Sequence, residues 1–298
     1  MLGEALVDLV CERPVDALGE ARAFVPHPGG AVANAAAAAA ALGAQVELLG
    51  GAGDDDWGRW LRDDLERAGV GLEWFGLLPG VRTPVAFVTV DGAGEPAFQI
   101  YGQDIASTVL AQRDRVDAAV EACGALFVSS NTLVGEDERA VTMAARRRAI
   151  ELGRPVVVDP NLRPDRWPTA ARAAATTREL VPGAFLVRGN RAEAELLTGE
   201  ADPARAAEGL LAAGAQHVVV TRGAGGAILR GGGLRLDVPG VAARPVDTTG
   251  AGDVLTGTLL ARLAASGFYP PTLAAALPEA VERAARSTEV FGARATGR

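Results

Sequence analysis

The segment "VDTTGAGDVLTGTLLARLA", residues 246–264, places an acidic residue at the start of an apolar pattern typical of a helix. Gly250, Ala251 and Gly252 precede Asp253, and small residues let backbone amides turn toward one point. A helix N-terminus adds amides without intrahelical partners and the positive end of the helix dipole, so the segment predicts an anion pocket. A carboxylate in its mouth has the chemistry to take a proton from a hydroxyl while the amides stabilise a phosphoryl group in transfer. The alternative is that Asp253 caps the helix and the glycines only form a turn.

The composition favours a globular protein that acts on a small molecule. The chain has 298 residues, 49% of them hydrophobic and 22% charged, which is enough to bury a large core. A formal charge of −8, with no run of basic residues longer than the three arginines at 146–148, argues against a nucleic-acid partner. The chain contains no lysine, which excludes a Schiff base and the lysine of a Walker A loop.

The opening residues, the apolar runs and the cysteines predict the cellular location of the protein. The opening residues, "MLGEALVDLV", lack the charged leader and cleavage site of a signal peptide, and no apolar run reaches membrane-spanning length. Cys11 and Cys123 are too few for a disulfide scaffold. These observations predict a cytoplasmic protein with no membrane partner.

Short apolar strands alternate with helical stretches through most of the chain. Strands are predicted at 45–53, 124–130, 155–161, 184–190 and 217–223, and helices at 56–69 and 137–153. Val-rich strands separated by helices predict an α/β fold with a doubly wound, mainly parallel sheet that is covered on both faces. Such sheets bind ligands at the carboxyl ends of their strands. These ends hold Asp159, Asn161, Asn190, Thr221 and Gly223.

One segment interrupts this alternation. Residues 83–102 form two alternating runs joined by a glycine turn, which predicts a β-hairpin. Together with the irregular stretch 9–28, the hairpin is predicted to form a small β-sheet lid on a single domain spanning 1–298. The alternative is an ordinary hairpin at the edge of the main sheet. A lid with an exposed apolar face would also pair with a second lid, so a homodimer is expected.

Several motifs, in order along the chain, resemble the ribokinase-like (PfkB) carbohydrate kinases. "DTTGAGD" (247–253) resembles the C-terminal signature of that family, and "GGAVANAAAAAAALG" (29–43) resembles its N-terminal glycine signature. "GEALVD" (3–8) resembles the first strand, whose terminal acid binds sugar hydroxyls. The remaining matches are "GGAGDDDWGRWL" (50–61), "DPNLRPDRW" (159–167), "NRAE" (190–193) and "TRGAGG" (221–226). The resemblance covers nearly the whole chain and implies an ATP- and Mg²⁺-dependent kinase acting on a small sugar.

The resemblance implies a role for each matching residue on the sugar side. Asp253 is implied as the base that takes the proton from the sugar, facing an anion hole made of Gly250, Ala251 and Gly252. The positions that match the family's sugar-binding residues are Asp8, Gly29, Gly30 and Asn34. Arg163 is expected either to contact a phosphate or an acidic substrate, or to pair with surface acids.

The resemblance also implies residues for the nucleotide and for metal ions. Asn190 and Glu193 match an N-x-x-E element that orders magnesium and the triphosphate, largely through water, as suits an ion that keeps several waters. The positions that match the nucleotide loop are Thr221, Gly223 and Gly226. Asp247 and Thr249 match part of a monovalent-cation site, so potassium is an implied cofactor, and the rest of that site is expected near 284–292.

Departures from the family pattern limit the substrate. Ala31 stands where ribokinases have a lysine, and "SSN" (129–131) stands where they have a glutamate, so ribose is disfavoured. The motifs resemble fructokinases and 2-keto-3-deoxygluconate kinases more closely. "GGAVAN", and the lack of a carboxylate-binding cluster beyond Arg163, favour fructokinase. Another PfkB sugar or nucleoside kinase remains an alternative.

Two functions of other classes are alternatives. A nicotinamide oxidoreductase would need G-x-G-x-x-G in the first strand–helix unit, and neither glycine-rich segment, 50–58 or 222–229, fits that spacing. A noncatalytic sugar- or nucleotide-binding regulator would have the same fold. The joint presence of Asp253, Asn190 and Glu193 favours catalysis over that regulator.

Overall fold

The computed structural model describes residues 1–101 and 105–293. The strands are β1 Leu6–Val10, β2 Val25–Gly29, β3 Gly50–Gly53, β4 Phe75–Leu78, β5 Val85–Val90, β6 Pro96–Tyr101, β7 Leu126–Ser129, β8 Val156–Asp159, β9 Leu186–Asn190, β10 His217–Thr221, β11 Ala227–Gly231 and β12 Leu234–Val238. The α-helices are α1 Ala31–Ala40, α2 Asp56–Arg67, α3 Ile105–Leu110, α4 Val116–Ala122, α5 Glu136–Glu151, α6 Ala170–Arg178, α7 Arg191–Thr198, α8 Pro203–Ala212, α9 Ala251–Ala265 and α10 Thr272–Ser287. The strands predicted at 124–130, 155–161, 184–190 and 217–223 and the helices at 56–69 and 137–153 are confirmed, with ends that differ by a few residues. The strand predicted at 45–53 is confirmed only in its last four residues, because β3 is the glycine segment that was expected to form a loop, and residues 45–49 have only isolated bridges.

The main sheet has the strand order β12-β11-β10-β9-β8-β7. Strands β7 to β10 run parallel to one another, whereas β11 pairs antiparallel with both β10 and β12. Neighbouring residues of one strand point to opposite faces, so Val157 packs into one buried cluster and Val158 into the other. The prediction of a mainly parallel sheet covered on both faces is confirmed. The first cluster includes side chains of α1, α9 and α10, and the second includes side chains of α5, α7 and α8.

A second sheet, with the order β2-β1-β5-β6, forms the lid. Strands β5 and β6 are the hairpin predicted from the alternating runs, and they pair antiparallel from Val85↔Tyr101 to Val90↔Pro96. The hairpin does not join the edge of the main sheet, because β5 pairs with β1 instead. The domain and lid boundaries remain predictions. Gly102, at the end of the predicted lid, and residues 294–298, at the end of the predicted domain, lie outside the described residues.

The first strand differs from its prediction. The sequence predicted that this strand ends at Asp8, but β1 continues to Val10 and Asp8 lies in its middle, opposite His27 of β2. The physical reason is that the chain passes from one sheet to the other. Leu2 bridges to Leu49 and Val128 beside the main sheet, and β1 then takes its hydrogen bonds from the lid strands.

The turn of the hairpin rests on the segment that leads into α9. The Thr248 amide donates to the Gly94 carbonyl at 2.9 Å, and the Thr248 hydroxyl lies 3.4 Å from Glu95 Oε2. Asp91 shapes the turn, since its Oδ1 accepts the amides of Ala93 and Glu95 at 2.8 and 2.9 Å. The lid therefore contacts the main domain next to the predicted anion pocket.

Candidate active site

A cavity of about 580 Å³ lies between the lid and the carboxyl ends of the main-sheet strands. Of the residues predicted for the site, Gly29 and Asp247 do not line this cavity, whereas the others do. The fold thus brings residues from both ends of the sequence to one place, as expected for the carboxyl edge of a parallel sheet.

The N-terminus of α9 forms one end of the cavity. Gly250 is the cap residue, with a φ of +74° that favours glycine, and a Cβ there would lie 2.3 Å from Ala293 Cβ. The helix begins at Ala251, so Asp253 is its third residue and the alternative that Asp253 caps the helix is wrong. Gly250, Ala251 and Gly252 line the cavity, so this end of the helix brings to it the positive end of the dipole and amides that have no partner within the helix, although the Ala251 amide donates to the Thr248 carbonyl at 3.3 Å.

Asp253 is buried, and side chains from two other elements hold its carboxylate. Asn34 Nδ2, on α1, donates to Asp253 Oδ2 at 2.9 Å, and Asn161 Nδ2 lies 3.5 Å from Oδ1. Burial raises the pKa of Asp253 to about 7, and the charge of Asp159 adds to the rise. The hydrogen bond from Asn34 and the charges of Arg163 and Arg188 lower this pKa in part. The carboxyl group therefore changes its charge near neutral pH, as suits a general base.

The sugar-side residues predicted from the glycine signature surround Asp253. Asp8 and Asn34 are buried and both line the cavity. Gly29 lies behind Asp8, because a Cβ at Gly29 would come within 2.2 Å of Asp8 Oδ2. Gly30, with a φ of +94°, caps α1 and approaches the Glu4 carbonyl so closely that a Cβ would lie 2.6 Å from it. Gly29 thus supports the site without lining it.

The residues predicted to bind the nucleotide lie at and just after the carboxyl ends of β9 and β10. Asn190 and Glu193 form a capping box at the start of α7, with the Asn190 amide 2.8 Å from Glu193 Oε2. The Leu162 amide donates to Glu193 Oε1 at 3.0 Å, so each carboxylate oxygen already accepts one backbone amide. Burial raises the pKa of Glu193, and the charge of Asp159 adds to this rise.

The loop after β10 completes this side of the cavity. Thr221, Gly223 and Gly226 all line it. Gly226 has a φ of +83°, and a Cβ there would lie 2.1 Å from the Val238 carbonyl, so no larger residue fits. Gly223 meets no atom within 4 Å at its Cβ position, which leaves open space beside the loop for a ligand.

The two residues predicted for a cation site lie behind the anion pocket. Asp247 is fully buried, and its carboxylate accepts the amides of Thr249 and Gly292, each at 2.9 Å. The Thr249 hydroxyl is buried without a hydrogen-bond partner among the described residues. The backbone near 284–292 is adjacent, since the Thr288 carbonyl accepts the amides of Val246 and Asp247. No group of three or more metal-binding side chains occurs within residues 1–101 and 105–293.

Arg163 links the loop after β8 to the lid. Its guanidinium lies 5.0 Å above the Phe98 ring of β6, and its Nη1 donates to the Leu162 carbonyl at 3.2 Å. In the part of the chain that the structure describes, Arg163 forms no salt bridge with a surface acid. It lines the cavity instead, which favours contact with a bound anion over the surface-pair alternative.

Sequence reasoning missed a buried ion pair beneath the anion pocket. Arg188 Nη1, on β9, lies 3.0 Å from Asp159 Oδ2, and both side chains are at most 8% exposed. Thr221 accepts a hydrogen bond from Arg188 Nη2 at 3.2 Å, and Thr256 Oγ1 donates to Asp159 Oδ2 at 2.9 Å. A Cβ at Gly252 would lie 2.6 Å from Arg188 Nη1, so the guanidinium lies against the backbone of the anion pocket. The sequence feature that could have indicated this ion pair was an arginine inside the apolar run "AFLVRGN".

A second polar cluster, also missed, lies on the β7 side of the cavity. Glu4, Asn131 and Arg166 come from the segment before β1, from the turn after β7 and from the loop after β8, and all three line the cavity. Asn131 Nδ2 donates to Glu4 Oε1 at 2.9 Å, and Arg166 Nη1 donates to the Asn131 carbonyl at 3.0 Å. The amide of Ala31, the first residue of α1, donates to the same Glu4 oxygen at 3.1 Å. No single motif marks this cluster, because its members lie far apart in sequence.

Comparisons with known proteins show the family to which the chain is similar. Residues 1–295 match the pfkB family carbohydrate kinase. Fructokinase-1 of Oryza sativa subsp. japonica is 34% identical over 262 residues, which cover 88% of this chain and 81% of the relative. Fructokinase-2 of Solanum lycopersicum is 33% identical, with 88% and 80% covered.

Solved structures give the same result. A fructokinase from Vibrio cholerae O395, in a form with fructose, ADP and calcium ion, has a TM-score of 0.84 at 29% identity and covers 99% of this chain and 94% of its own. An aminoimidazole riboside kinase from Salmonella enterica, with aminoimidazole riboside and an ATP analogue, has a TM-score of 0.81 at 27% identity, with 99% and 94% covered.

No helix among the described residues is both long and apolar enough to span a membrane. The expected ribokinase-like fold and phosphotransferase class are confirmed by these comparisons. The cavity joins a buried carboxylate to a helix N-terminus at the edge of a parallel sheet, and the chain belongs to the pfkB family of carbohydrate kinases.

Proposed function

We propose that this sugar kinase transfers the γ-phosphoryl group of ATP to a primary hydroxyl of fructose or a closely related ketose. The observation that carries the proposal is the placement of Asp253, which lies at the N-terminus of α9 and is hydrogen-bonded to Asn34 on the sugar side. The fructokinase relatives support the choice of ketose.

In the proposed mechanism the protein contributes positioning, a base and an electrostatic pocket. Asp8 and Asn34 bind sugar hydroxyls, and the Asp253 carboxylate takes the proton of the attacking hydroxyl. The first-turn amides of α9, from Gly250 to Gly252, stabilise the negative charge on the transferred phosphoryl group. The lid excludes water, which limits hydrolysis of ATP.

The cavity residues at the ends of β9 and β10 suit the binding of ATP with magnesium. Gly223 leaves open space beside Thr221, and Asn190 and Glu193 line the same cavity. Both oxygens of Glu193 accept backbone amides, so we propose that Glu193 orders magnesium through water rather than by direct contact. When bound, the ion neutralises charge on the phosphates. Arg163 is proposed to contact the phosphate groups from the lid side.

A monovalent cation is proposed to bind beside Asp247. The carboxylate is buried without a salt bridge from any described residue, and the Thr249 hydroxyl lacks a partner within the described chain. A cation there would balance the buried charge and would hold the segment that leads into the anion pocket. A double mutant of a Vibrio cholerae fructokinase has been solved in a potassium ion bound form, which makes potassium the candidate.

A sugar acid such as 2-keto-3-deoxygluconate is the second candidate substrate. The observation that favours it is a second arginine in the cavity, Arg166, which lies near Arg163. Against it, Arg166 lies close to the carboxylate of Glu4, which partly balances its charge. The neutral ketose therefore remains the main proposal, ahead of other PfkB sugar or nucleoside substrates.

The first experiment is an ADP-release assay with ATP, Mg²⁺ and K⁺ against fructose, 2-keto-3-deoxygluconate, ribose, tagatose and nucleosides. The proposal predicts the highest kcat/KM for fructose. A higher kcat/KM for the sugar acid would replace fructose with the second candidate. Sugar binding without ADP release would instead support the noncatalytic regulator.

The activity should depend on pH near neutrality. A base works only in its ionised form, and the pKa of Asp253 is raised to about 7, so kcat/KM should fall about tenfold per pH unit below that value and level off above it. Because the Asn34 hydrogen bond lowers this pKa, Asn34→Ala should move the midpoint to higher pH. The control Asp114→Asn, at an exposed residue outside the cavity, should leave the midpoint unchanged. If kcat/KM does not change with pH around pH 7, the ionisation of Asp253 does not control the rate.

The outer face of the lid is proposed to form a homodimer. Phe24, Phe87 and Tyr101 contact one another there edge to face, with centroids 5.0 and 5.5 Å apart, and Tyr101 is 53% exposed. Light scattering at micromolar concentration should show a dimer, and Tyr101→Glu should give a monomer. The matched control is Tyr269→Glu, since Tyr269 is 62% exposed but lies outside the lid. A wild-type monomer would contradict this proposal.

A cytoplasmic location stays a prediction from the cysteine content and composition.

A further inference from the structure

One carboxylate in the cavity is not used by the proposed chemistry. Glu4 is only 1% exposed, and its Oε1 accepts two hydrogen bonds, from Asn131 Nδ2 and from the Ala31 amide. Its own backbone amide also favours the ionised form. Nevertheless, Glu4 Oε2 is buried without a hydrogen-bond partner among the described residues. A buried carboxylate oxygen without a donor is costly, so a donor supplied by a ligand would remove that cost.

The neighbours of Glu4 fix the position of its carboxylate but give no hydrogen bond to Oε2. The side chain of Asn131 lies between Glu4 and Arg166, with its amide nitrogen donating to Glu4 and its oxygen 3.4 Å from Arg166 Nη1. The charge of Arg166 favours the ionised form of Glu4, although burial raises the Glu4 pKa. The two opposite charges make this wall of the cavity polar but close to neutral. Such a wall suits a neutral ligand with hydroxyl groups better than a ligand with its own carboxylate.

The first turn of helix α1 links Glu4 to the reacting end of the cavity. Glu4 binds the amide of Ala31, and Asn34, three residues further along the same helix, binds Asp253. Residues three apart on a helix face have Cβ atoms about 5–6 Å apart. Glu4, Asn34 and Asp253 line the same cavity, so one sugar molecule could contact both ends of this helical turn.

We propose that Glu4 Oε2 accepts a hydrogen bond from a hydroxyl of the bound ketose other than the one that is phosphorylated, so that Glu4 is a specificity-determining residue. This inference rests on the proposed function, because it takes a ketose as the substrate. The Glu4–Asn131–Arg166 wall then recognises the hydroxyl pattern of a neutral sugar. Asn131 and Arg166 act as positioning residues that hold the carboxylate toward the cavity.

The test combines Glu4 variants with altered sugars. Glu4→Gln keeps the size of the side chain, but the amide oxygen is needed for Asn131 and Ala31, so an NH₂ group would occupy the position of Oε2 and replace an acceptor by a donor. Glu4→Asp keeps the charge beside Arg166 and withdraws the carboxylate by one methylene. The matched control is Glu138→Gln, since Glu138 is also a buried carboxylate near Arg166 but does not line the cavity. Melting temperatures identify which variants are folded.

The assay measures kcat and KM for fructose and for singly deoxygenated fructose analogues that retain the reacting hydroxyl. In the wild type, one analogue should lose about 10- to 100-fold in kcat/KM, the size of effect expected when a buried carboxylate loses its hydroxyl donor. Glu4→Gln and Glu4→Asp should raise KM for fructose by a similar factor, with kcat nearly unchanged, and should no longer discriminate against that analogue. Glu138→Gln should retain the discrimination.

The outcomes separate this inference from the proposed function. If the wild type phosphorylates fructose and the folded Glu4 variants discriminate among the analogues as the wild type does, the role of Glu4 is overturned and the proposed function stands. If no single deoxygenation lowers wild-type kcat/KM by at least about tenfold, the role is overturned without any variant. If the wild type does not phosphorylate fructose, the proposed function fails and this inference fails with it.

Discussion

Replacing Asp253 with asparagine is expected to lower kcat roughly 10²- to 10⁴-fold, while most of the affinity for the sugar is retained. Asparagine has the size of aspartate and can accept the hydrogen bond from Asn34, but it cannot take a proton from the attacking hydroxyl. The loss should appear in kcat rather than in KM, because proton removal belongs to the transition state.

This expectation is checked by steady-state kinetics with saturating ATP, together with the melting temperature of each variant. Asp114→Asn is the control for removing one negative charge, since Asp114 is exposed and lies outside the cavity. Turnover by Asp253→Asn within about tenfold of the wild type would remove Asp253 as the base.

Replacing Arg188 with methionine is expected to lower the free energy of unfolding by about 3–5 kcal/mol. The substitution leaves the carboxylate of Asp159 buried, with the hydroxyl of Thr256 and the amide of Asn161 as its donors but no opposite charge beside it. Arg188 also fills the space beneath Gly252, so its loss removes support from the anion pocket. A fall in kcat should therefore accompany the fall in stability.

Urea unfolding of the single and double variants measures the coupling free energy between Arg188 and Asp159 directly. Asp159→Asn in the Arg188→Met background removes the unpaired charge and keeps an oxygen for Thr256, so the double variant should lose less stability than the two single variants added together. Additive losses, or a loss below about 1 kcal/mol for Arg188→Met, would show that the ion pair does not stabilise the fold.

The sequence could predict the residues of the site that lie in short motifs at the ends of strands and helices. Asp253, Asn190 and Thr221 follow that pattern, because one parallel sheet brings the carboxyl ends of its strands to one edge. The hydrogen bond between Asn34 and Asp253 joins residues 219 positions apart and could only be inferred from the family resemblance. The first strand was predicted to end at Asp8, but β1 runs from Leu6 to Val10, because the chain leaves the main sheet after Leu2 and pairs with the lid strands. No local sequence pattern reveals this change of sheet.

The rest of the site depends on contacts that have no local signal. Glu4 and Arg166 are ordinary charged residues in sequence, and their importance arises only when the fold buries them together against the cavity. Arg188 did carry a signal, since an arginine within an apolar strand must find a buried partner. The identity of that partner, Asp159, required the pairing of β8 with β9.

The hydrogen bond between the hairpin turn and Thr248 gives the lid a mechanical role. Thr248 lies two residues before Gly250, so this hydrogen bond ties the backbone of the anion pocket to the lid above the cavity. If the lid lifts to admit a sugar, this hydrogen bond must break, and the backbone of the anion pocket loses one of its supports. We therefore expect lid opening to loosen the anion pocket and lid closure to restore its shape.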